Sequence, residues 1–175
     1  MENRSGSARR IKVVPYLEWV LHSPEADRNH TQYNRLFAEI EYASGLHVVL
    51  ARDKHAKAMG LLASDLTPEG FLSSRIDFIG RARSLWTPRV LETLAFSEAR
   101  DTLAHPTFDP IGSLLIGLTV PARGASRVQL LMGLAKEKSQ AVDLITRHLR
   151  IPEAQIRELS RAEEYRPCGR SIRHH

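Results

Sequence analysis

Residues 113–136 read SLLIGLTVPARGASRVQLLMGLAK, and this stretch decides the fold class. Leu114, Ile116, Leu118 and Val120 recur at every second position, as do Val128, Leu130, Met132 and Leu134. A period of two with apolar residues on one side is the mark of a half-buried β-strand. The intervening PARGAS has the proline, glycine and small polar residues of a chain reversal, so the stretch predicts a hairpin whose two strands each bury an aliphatic row. Each such residue contributes about 1.5–3 kcal/mol when buried, which makes core packing the expected role of Met132 and its neighbours. From Glu137 the period lengthens to about 3.6, with Ala141, Val142, Ile145 and Leu149 on one stripe, so an amphipathic helix covering the sheet is expected. Pro152 opens a second helix, with Ile156 and Leu159 on one side and Glu153 four residues before Arg157.

Upstream, RLFAEIEY (Arg35–Tyr42) and LHVVLAR (Leu46–Arg52) flank ASG and predict another hairpin. AMGLLAS (Ala58–Ser64) predicts a further strand, TPEG (Thr67–Gly70) a type I turn, and TPRVLETL a short helix capped by Thr87 and opened by Pro88. Near the start, Ile11, Val13, Pro15, Leu17, Trp19 and Leu21 alternate with Lys12, Val14, Tyr16, Glu18 and Val20, which predicts one long strand. ENRSGSARR before it has hairpin-turn composition, yet no strand precedes it to be its partner. A sheet edge, or a solvent-facing apolar strip near Val14 and Tyr16, is therefore expected. Strands first and helices last predict a mainly β fold, an antiparallel β-sandwich with C-terminal helices. The expected organisation is a truncated turn over residues 1–10, the sandwich over 11–136, covering and linker helices over 137–165 and an unstructured tail over 166–175.

Composition narrows the function classes. The chain is 42% hydrophobic and 26% charged, ordinary for a soluble globular domain. No apolar run approaches the roughly 18 residues of a membrane span, and MENRSGSARR lacks the apolar segment of a secretory signal, so a cytoplasmic location is expected. A single cysteine, Cys168, excludes an internal disulfide. The net charge of +5 is concentrated at the ends, where residues 1–10 and 161–175 each carry +2. A nucleic-acid binder needs its basic stripe on the folded part with aromatics to stack on bases, so no nucleic-acid partner is expected.

Chemistry-bearing residues are sparse. His47, Asp53 and His55 have metal-ligating side chains, but the last two lie in the polar turn ARDKHAKA, and no metal is expected. Glu39 and Glu41 share a strand face, as an acid–base pair would. The wet face of a sheet shows the same pattern. GRARS (Gly80–Ser84) could hold an anion with Arg81 and Arg83, although it has neither the GxxxxGK[ST] nor the GxGxxG spacing of a phosphate loop. Cys168 has no histidine beside it to activate it. Of the two tryptophans, Trp19 belongs to an apolar strand face and is expected in the core, whereas Trp86 follows GRARSL and is a candidate platform for a sugar ring.

Three segments carry a family resemblance: VVPYLEWVL (Val13–Leu21), RIDFIGRARSLWTPRVL (Arg75–Leu91) and FDPIGSLLIGLTVPARGASRVQLLMGLAKEKSQAVDLITRHL (Phe108–Leu149). With their FIGR motif leading to a proline, then a DP-led strand, a glycine-bearing turn and a helix rich in Ala, Leu and Ile, they resemble the family 94 glycoside phosphorylases. Cellobiose phosphorylase is a member, and the likeness is nearest to the cyclic β-1,2-glucan synthases. The region resembled, roughly residues 2–152, is the β-supersandwich domain, of galactose-mutarotase-like type, which in that family precedes a linker and an (α/α)₆ catalytic barrel. The resemblance implies that ENRSGSARR lies inside a domain, so that this domain is incomplete, and that EYRPCGRSIRHH departs from the family pattern. It also implies inverting phosphorolysis in the parent enzymes, with the proton donated by a barrel aspartate and inorganic phosphate as nucleophile. No residue here matches that aspartate, so no catalytic residue and no cofactor are carried over. Asp109, in the matching DP motif, is expected to make a turn or strand-start hydrogen bond.

Two functions from different classes follow. One is a non-catalytic sandwich fragment of a glucan-processing enzyme, with no activity of its own, partnered by a catalytic barrel or another subunit and by β-glucan, with Arg81, Arg83 and Trp86 as sugar or anion contacts. The other is a self-standing glycoside-active enzyme using a carboxylate pair such as Glu39 and Glu41, which requires the two groups about 5–10 Å apart around a cleft.

Overall fold

The computed structural model describes residues 1–23, 25, 28–29, 38–53, 55, 58–107 and 109–149. Among the described residues ten strands form two antiparallel sheets that face each other. In the first sheet, β1 (Arg9–Val13) and β2 (Tyr16–Glu18) both pair with the eleven-residue β9 (Pro110–Val120), which also pairs with β6 (Gly70–Ser74), and β6 pairs with β7 (Ser97–Glu98). The second sheet has the order β10 (Leu130–Ala135), β5 (Met59–Ser64), β4 (Val48–Asp53), β3 (Ala38–Ala43), β8 (His105–Pro106). Helices α1 (Arg75–Ile79) and α2 (Arg89–Thr93) cover the outer face of the first sheet, and α3 (Lys138–Leu149) covers the outer face of the second.

Three apolar layers hold this stack. Between the sheets lie Trp19, Ile40, Tyr42, Val49, Leu62, Phe71, Leu114 and Ile116, with the Tyr42 and Phe71 rings stacked at 4.6 Å. Under α3, Ala141, Ile145 and Leu149 meet Val48, Leu50, Leu61 and Ala63. The helix stripe read from the sequence is thus its buried face. Under α1 and α2, Phe78, Ile79 and Val90 meet Leu72 and Ile111.

The strand near the start is real but broken. Pro15 has no N–H to give a ladder, and the chain divides around Val14–Pro15 into β1 and β2. The alternation survives the break: Val13, Leu17, Trp19 and Leu21 turn to the inter-sheet core, and Val14 and Tyr16 to the other side. Val14 and Tyr16 are therefore not a solvent-facing strip, because they pack under α1 and α2, with the Tyr16 and Phe78 ring centroids 4.6 Å apart. The strand partner sought at the N-terminal side is β9, which sets Ile11 opposite Leu118 and Leu17 opposite Gly112. ENRSGSARR makes no hairpin turn with a neighbour in sequence. Its first residues lie along the loop after β9, with Asn3 N donating to Gly124 O at 2.8 Å and Asn3 Nδ2 donating to Pro121 O at 2.9 Å.

The expected hairpin over Ser113–Lys136 does not form. Its two strands enter different sheets: β9 is the centre of the first, and β10 is the edge of the second, beside β5. Periodicity reveals a strand but not its partner, and the connecting residues are long enough to cross between sheets. The first strand buries its aliphatic row as expected. The second does not: Leu130, Met132 and Leu134 are 39%, 62% and 64% exposed, because β10 overhangs the opposing sheet. The 38–53 hairpin forms, closed by a 3₁₀ turn at Ser44–Leu46 and by His47 in the left-handed region (φ 51°). At TPEG the chain bends at Asp65–Leu66 and at Glu69, and Gly70 already belongs to β6. Thr87 does not cap α2, since Pro88 holds the N-cap position with no side-chain bond. Strands β6, β7 and β8 and helix α1 lay outside the sequence reading. The helix expected at Pro152–Glu164 and the tail lie outside the described residues.

The two sheets are keyed together by one indole. A Cβ added at Gly60 of β5 or at Gly112 of β9 would stand 2.6 Å from the Trp19 ring, so the ring fills a slot that only glycine leaves open on both sheets. Trp19→Ala should destabilise the fold by about 3–5 kcal/mol, and Gly112→Ala by about 1–3 kcal/mol through overpacking. Urea unfolding of both variants and of the double variant checks the slot: Gly112→Ala should cost less than about 0.5 kcal/mol once Trp19 is alanine, a non-additivity expected only of side chains in contact.

Candidate functional site

Helix α1 begins where Ser74 Oγ accepts from Asp77 N at 3.4 Å, an N-cap that the spacing Ser74-x-x-Asp77 could have signalled. It ends at Gly80, whose φ of 87° is open to glycine and whose absent side chain lets Arg89 approach. The following loop carries Arg81 and Arg83 to a recess of about 720 Å³ framed by α1, α2 and the segment 95–97, and Arg89 of α2 joins them there. Sequence reasoning missed Arg89, which it read only as part of a helix start.

Three guanidiniums therefore border one recess. Arg83 is committed: its Nη1 lies 2.5 Å from Glu92 Oε1, and this hydrogen bond raises the guanidinium's pKa and holds the Glu92 carboxyl below the usual carboxylate range. Arg81 and Arg89 have no ion-pair partner among the described residues. Asp77 lines the same recess and makes no ion pair among the described residues. Trp86 is 94% exposed and lies outside the recess, so the structure unites Arg81 and Arg83 but does not bring the indole onto the same wall. Its backbone N–H is held by Ser84 Oγ at 3.3 Å, which fixes the loop but not the ring.

Arg75 pins this region to the sandwich. Its Nε is 3.1 Å from Glu18 Oε1 of β2, its Nη1 3.6 Å from Asp109 Oδ2, and its backbone N–H donates to Asp109 O at 3.1 Å. Asp109, with φ 53°, so makes the strand-start bond expected of the DP motif. Tyr16 donates its hydroxyl to Glu18 at 2.7 Å, and burial, then that carboxylate, push the phenol's pKa up.

Glu39 and Glu41 do share a face and a recess of about 300 Å³ beside α3. Each is neutralised there: Arg52 Nη2 lies 3.1 Å from Glu39, and Lys138 Nζ lies 2.9 Å from Glu41. His47 and Asp53 stand at opposite ends of β4 and are not brought together. Asp53, 3% exposed, meets His22 Nε2 at 2.8 Å and accepts from His55 N at 2.7 Å. His47 is buried, with Nε2 at 3.2 Å from Thr67 Oγ1 and Nδ1 lacking a hydrogen bond among the described residues. Among the described residues no helix is long and apolar enough to cross a membrane.

Burial lowers the His47 pKa, against the opposing pull of Ser64 and Asp65. The unfolded chain then takes up this proton before the folded one does, so stability is lost as pH falls through the ordinary histidine range near about 6.5. Unfolding free energy measured in urea should decline from pH 7 to pH 5. His47→Asn, which tolerates the left-handed backbone, should show a shallower decline. An unchanged slope would place the acid sensitivity elsewhere.

Over residues 1–151 the chain matches the family model described as the glycosyl hydrolase 94 supersandwich domain. No functionally curated protein matches it.

Proposed function

Since the chain belongs to the glycosyl hydrolase 94 supersandwich family, we propose that it is the non-catalytic sandwich module of a glucan-processing enzyme of the cyclic β-1,2-glucan synthase type. In this reading Arg81, Arg83 and Trp86 form the face turned toward β-glucan, with Arg89 as a fourth member. The observation that carries it is the contrast between the two sets of charged side chains. The carboxylates with any claim to acid–base chemistry, Glu39 and Glu41, are each held by a cation, while Arg81 and Arg89 border an open recess with no carboxylate partner among the described residues. A guanidinium presents a rigid fork of donors that suits vicinal hydroxyls as well as anions, and an exposed indole offers an apolar face to a sugar ring. Two separate contacts of this kind suit an extended chain better than a monosaccharide.

The test uses the two tryptophans. Trp19 is buried and Trp86 is exposed, so a fluorescence change on adding linear β-1,2-glucan reports on Trp86. A saturable change is expected for the wild type and none for Trp86→Ala. Arg81→Ala should weaken binding about fivefold, the worth of one hydrogen bond of about 1 kcal/mol. Incubation with phosphate and β-1,2-glucan or cellobiose should release no glucose 1-phosphate above a heat-inactivated control. Release that Glu39→Gln or Glu41→Gln abolishes would instead establish the self-standing enzyme.

A further inference from the structure

We propose that the two sheets hold a single neutral sugar ring in a hollow of about 430 Å³, on the side where the described sheets end in β7 and β8. Strand pairing fixes which side chains meet there. Phe71 of β6 belongs to the inter-sheet core, Ser97 of β7 stands directly opposite it, and Ser73 follows it by two residues, with Leu72 between them facing the outer layer. All three therefore share the inner face of the first sheet. His105 of β8 stands opposite Ile40, a core residue of β3, and so shares the inner face of the second.

The inner faces of a sandwich are ordinarily filled by apolar side chains at crystal-like density, with few voids larger than a water molecule. Here Ser73, Ser97 and His105 occupy inner-face positions and line a space within the range of ligand pockets, about 300–1,000 Å³. Neither serine hydroxyl has a hydrogen-bond partner among the described residues. A polar group on a core face without a protein partner adds little to packing, and a ligand with hydroxyls of its own supplies the missing bonds.

The remaining wall is rigid and neutral overall. Between β7 and β8 the chain is tied to β3 and the turn after it: Thr102 N donates to Tyr42 O at 3.0 Å, Tyr42 N donates to Thr102 Oγ1 at 2.9 Å, and Ser44 N donates to Asp101 Oδ1 at 2.6 Å. Thr102 keeps its hydroxyl proton to donate. His105 Nδ1 donates to Leu103 O at 3.1 Å, which leaves Nε2 as the acceptor of the ring. Arg100 Nη1 lies 3.6 Å from Glu98 Oε2, and both residues line the hollow. Their charges cancel, which disfavours an ion, and together they set a donor fork beside an acceptor, an arrangement that suits two vicinal hydroxyls. The Phe71 ring, stacked on Tyr42, is the apolar part of the lining. Hydroxyls, an acceptor nitrogen and apolar contact in one space of this size match a sugar ring, either a free aldose or the end unit of a chain. The hollow shares Ser97 with the lining of the Arg81 recess but does not rest on the glucan reading of that recess.

Backbone amide NMR of the ¹⁵N-labelled full chain, titrated with glucose, tests the proposal. Saturable shifts are expected at Ser73, residues 98–102 and His105, with a dissociation constant in the millimolar range. Methyl β-glucoside assigns the source: equal affinity marks the end of a chain as the ligand, and an at least tenfold loss marks a free aldose. Alanine, a zwitterion that would divide Glu98 from Arg100, should shift none of these amides. Ser73→Val puts apolar bulk into the hollow and should weaken glucose binding at least tenfold, while the urea midpoint stays equal or rises. Arg100→Ala, at an exposed position, keeps the fold and should weaken binding about fivefold. Trp86→Ala should bind glucose as the wild type does, whatever its effect on glucan binding at the Arg81 recess. No saturation up to half-molar glucose, shifts confined to residues 81–89, an equal response to alanine, or unchanged affinity in both Ser73→Val and Arg100→Ala would overturn the proposal.

Discussion

The Trp19 indole between Gly60 and Gly112 is the contact on which the arrangement of the two sheets depends. Facing sheets sit about 10 Å apart, filled by side chains from both inner faces. A large ring fits that space flat only where both walls lack a Cβ, and here each sheet supplies one such position. The ring therefore sets which part of β9 lies over which part of β5. The rest follows by pairing: β6 comes over β3, where Phe71 meets Tyr42, and β1 stops short of β10. Trp19 Nε1 is buried without a hydrogen bond among the described residues, a cost of order 1–3 kcal/mol that the apolar contact of the ring must exceed.

A second, polar lock fixes the outer layer. Arg75 joins Glu18 of β2 to Asp109 at the start of β9, and its own backbone begins α1. The helix cannot move without breaking these bonds, and the Gly80 loop that carries Arg81 and Arg83 leaves directly from its end. The positions of the recess arginines thus descend from a strand pairing in the sandwich. Loops borne by a rigid scaffold are where binding groups can be held in a defined geometry.

Period-two alternation made β3 and β9 legible, short apolar runs made β4 and β5 legible, and the change to a 3.6 period made α3 legible. Alternation said nothing about partners. Val128–Leu134 has the same pattern as Leu114–Val120, and only the crossing of the chain between sheets decides that one row is buried and the other exposed. Strands β7 and β8, of two residues each, are too short to carry a period, and β6 was hidden because Gly70 looked like the end of a turn. At the recess, Arg81 and Arg83 were visible as a pair in sequence. Arg89 was not, since its place there depends on α2 folding back against α1, and Trp86 was grouped with them although the loop carries it away.

An exposed leucine is ordinary on any protein surface, so exposure alone would say little about β10. What distinguishes Leu130, Met132 and Leu134 is that they belong to the inter-sheet face of their own sheet, in register with Ser64, Leu62 and Gly60. A residue on a solvent face meets water by design of the pleat. A residue on the core face meets water only because the opposing layer ends too soon. Among the described residues the opposing layer ends at β1 and β2, and β1 carries Arg9, Arg10 and Lys12, the charges with which edge strands commonly resist indiscriminate pairing.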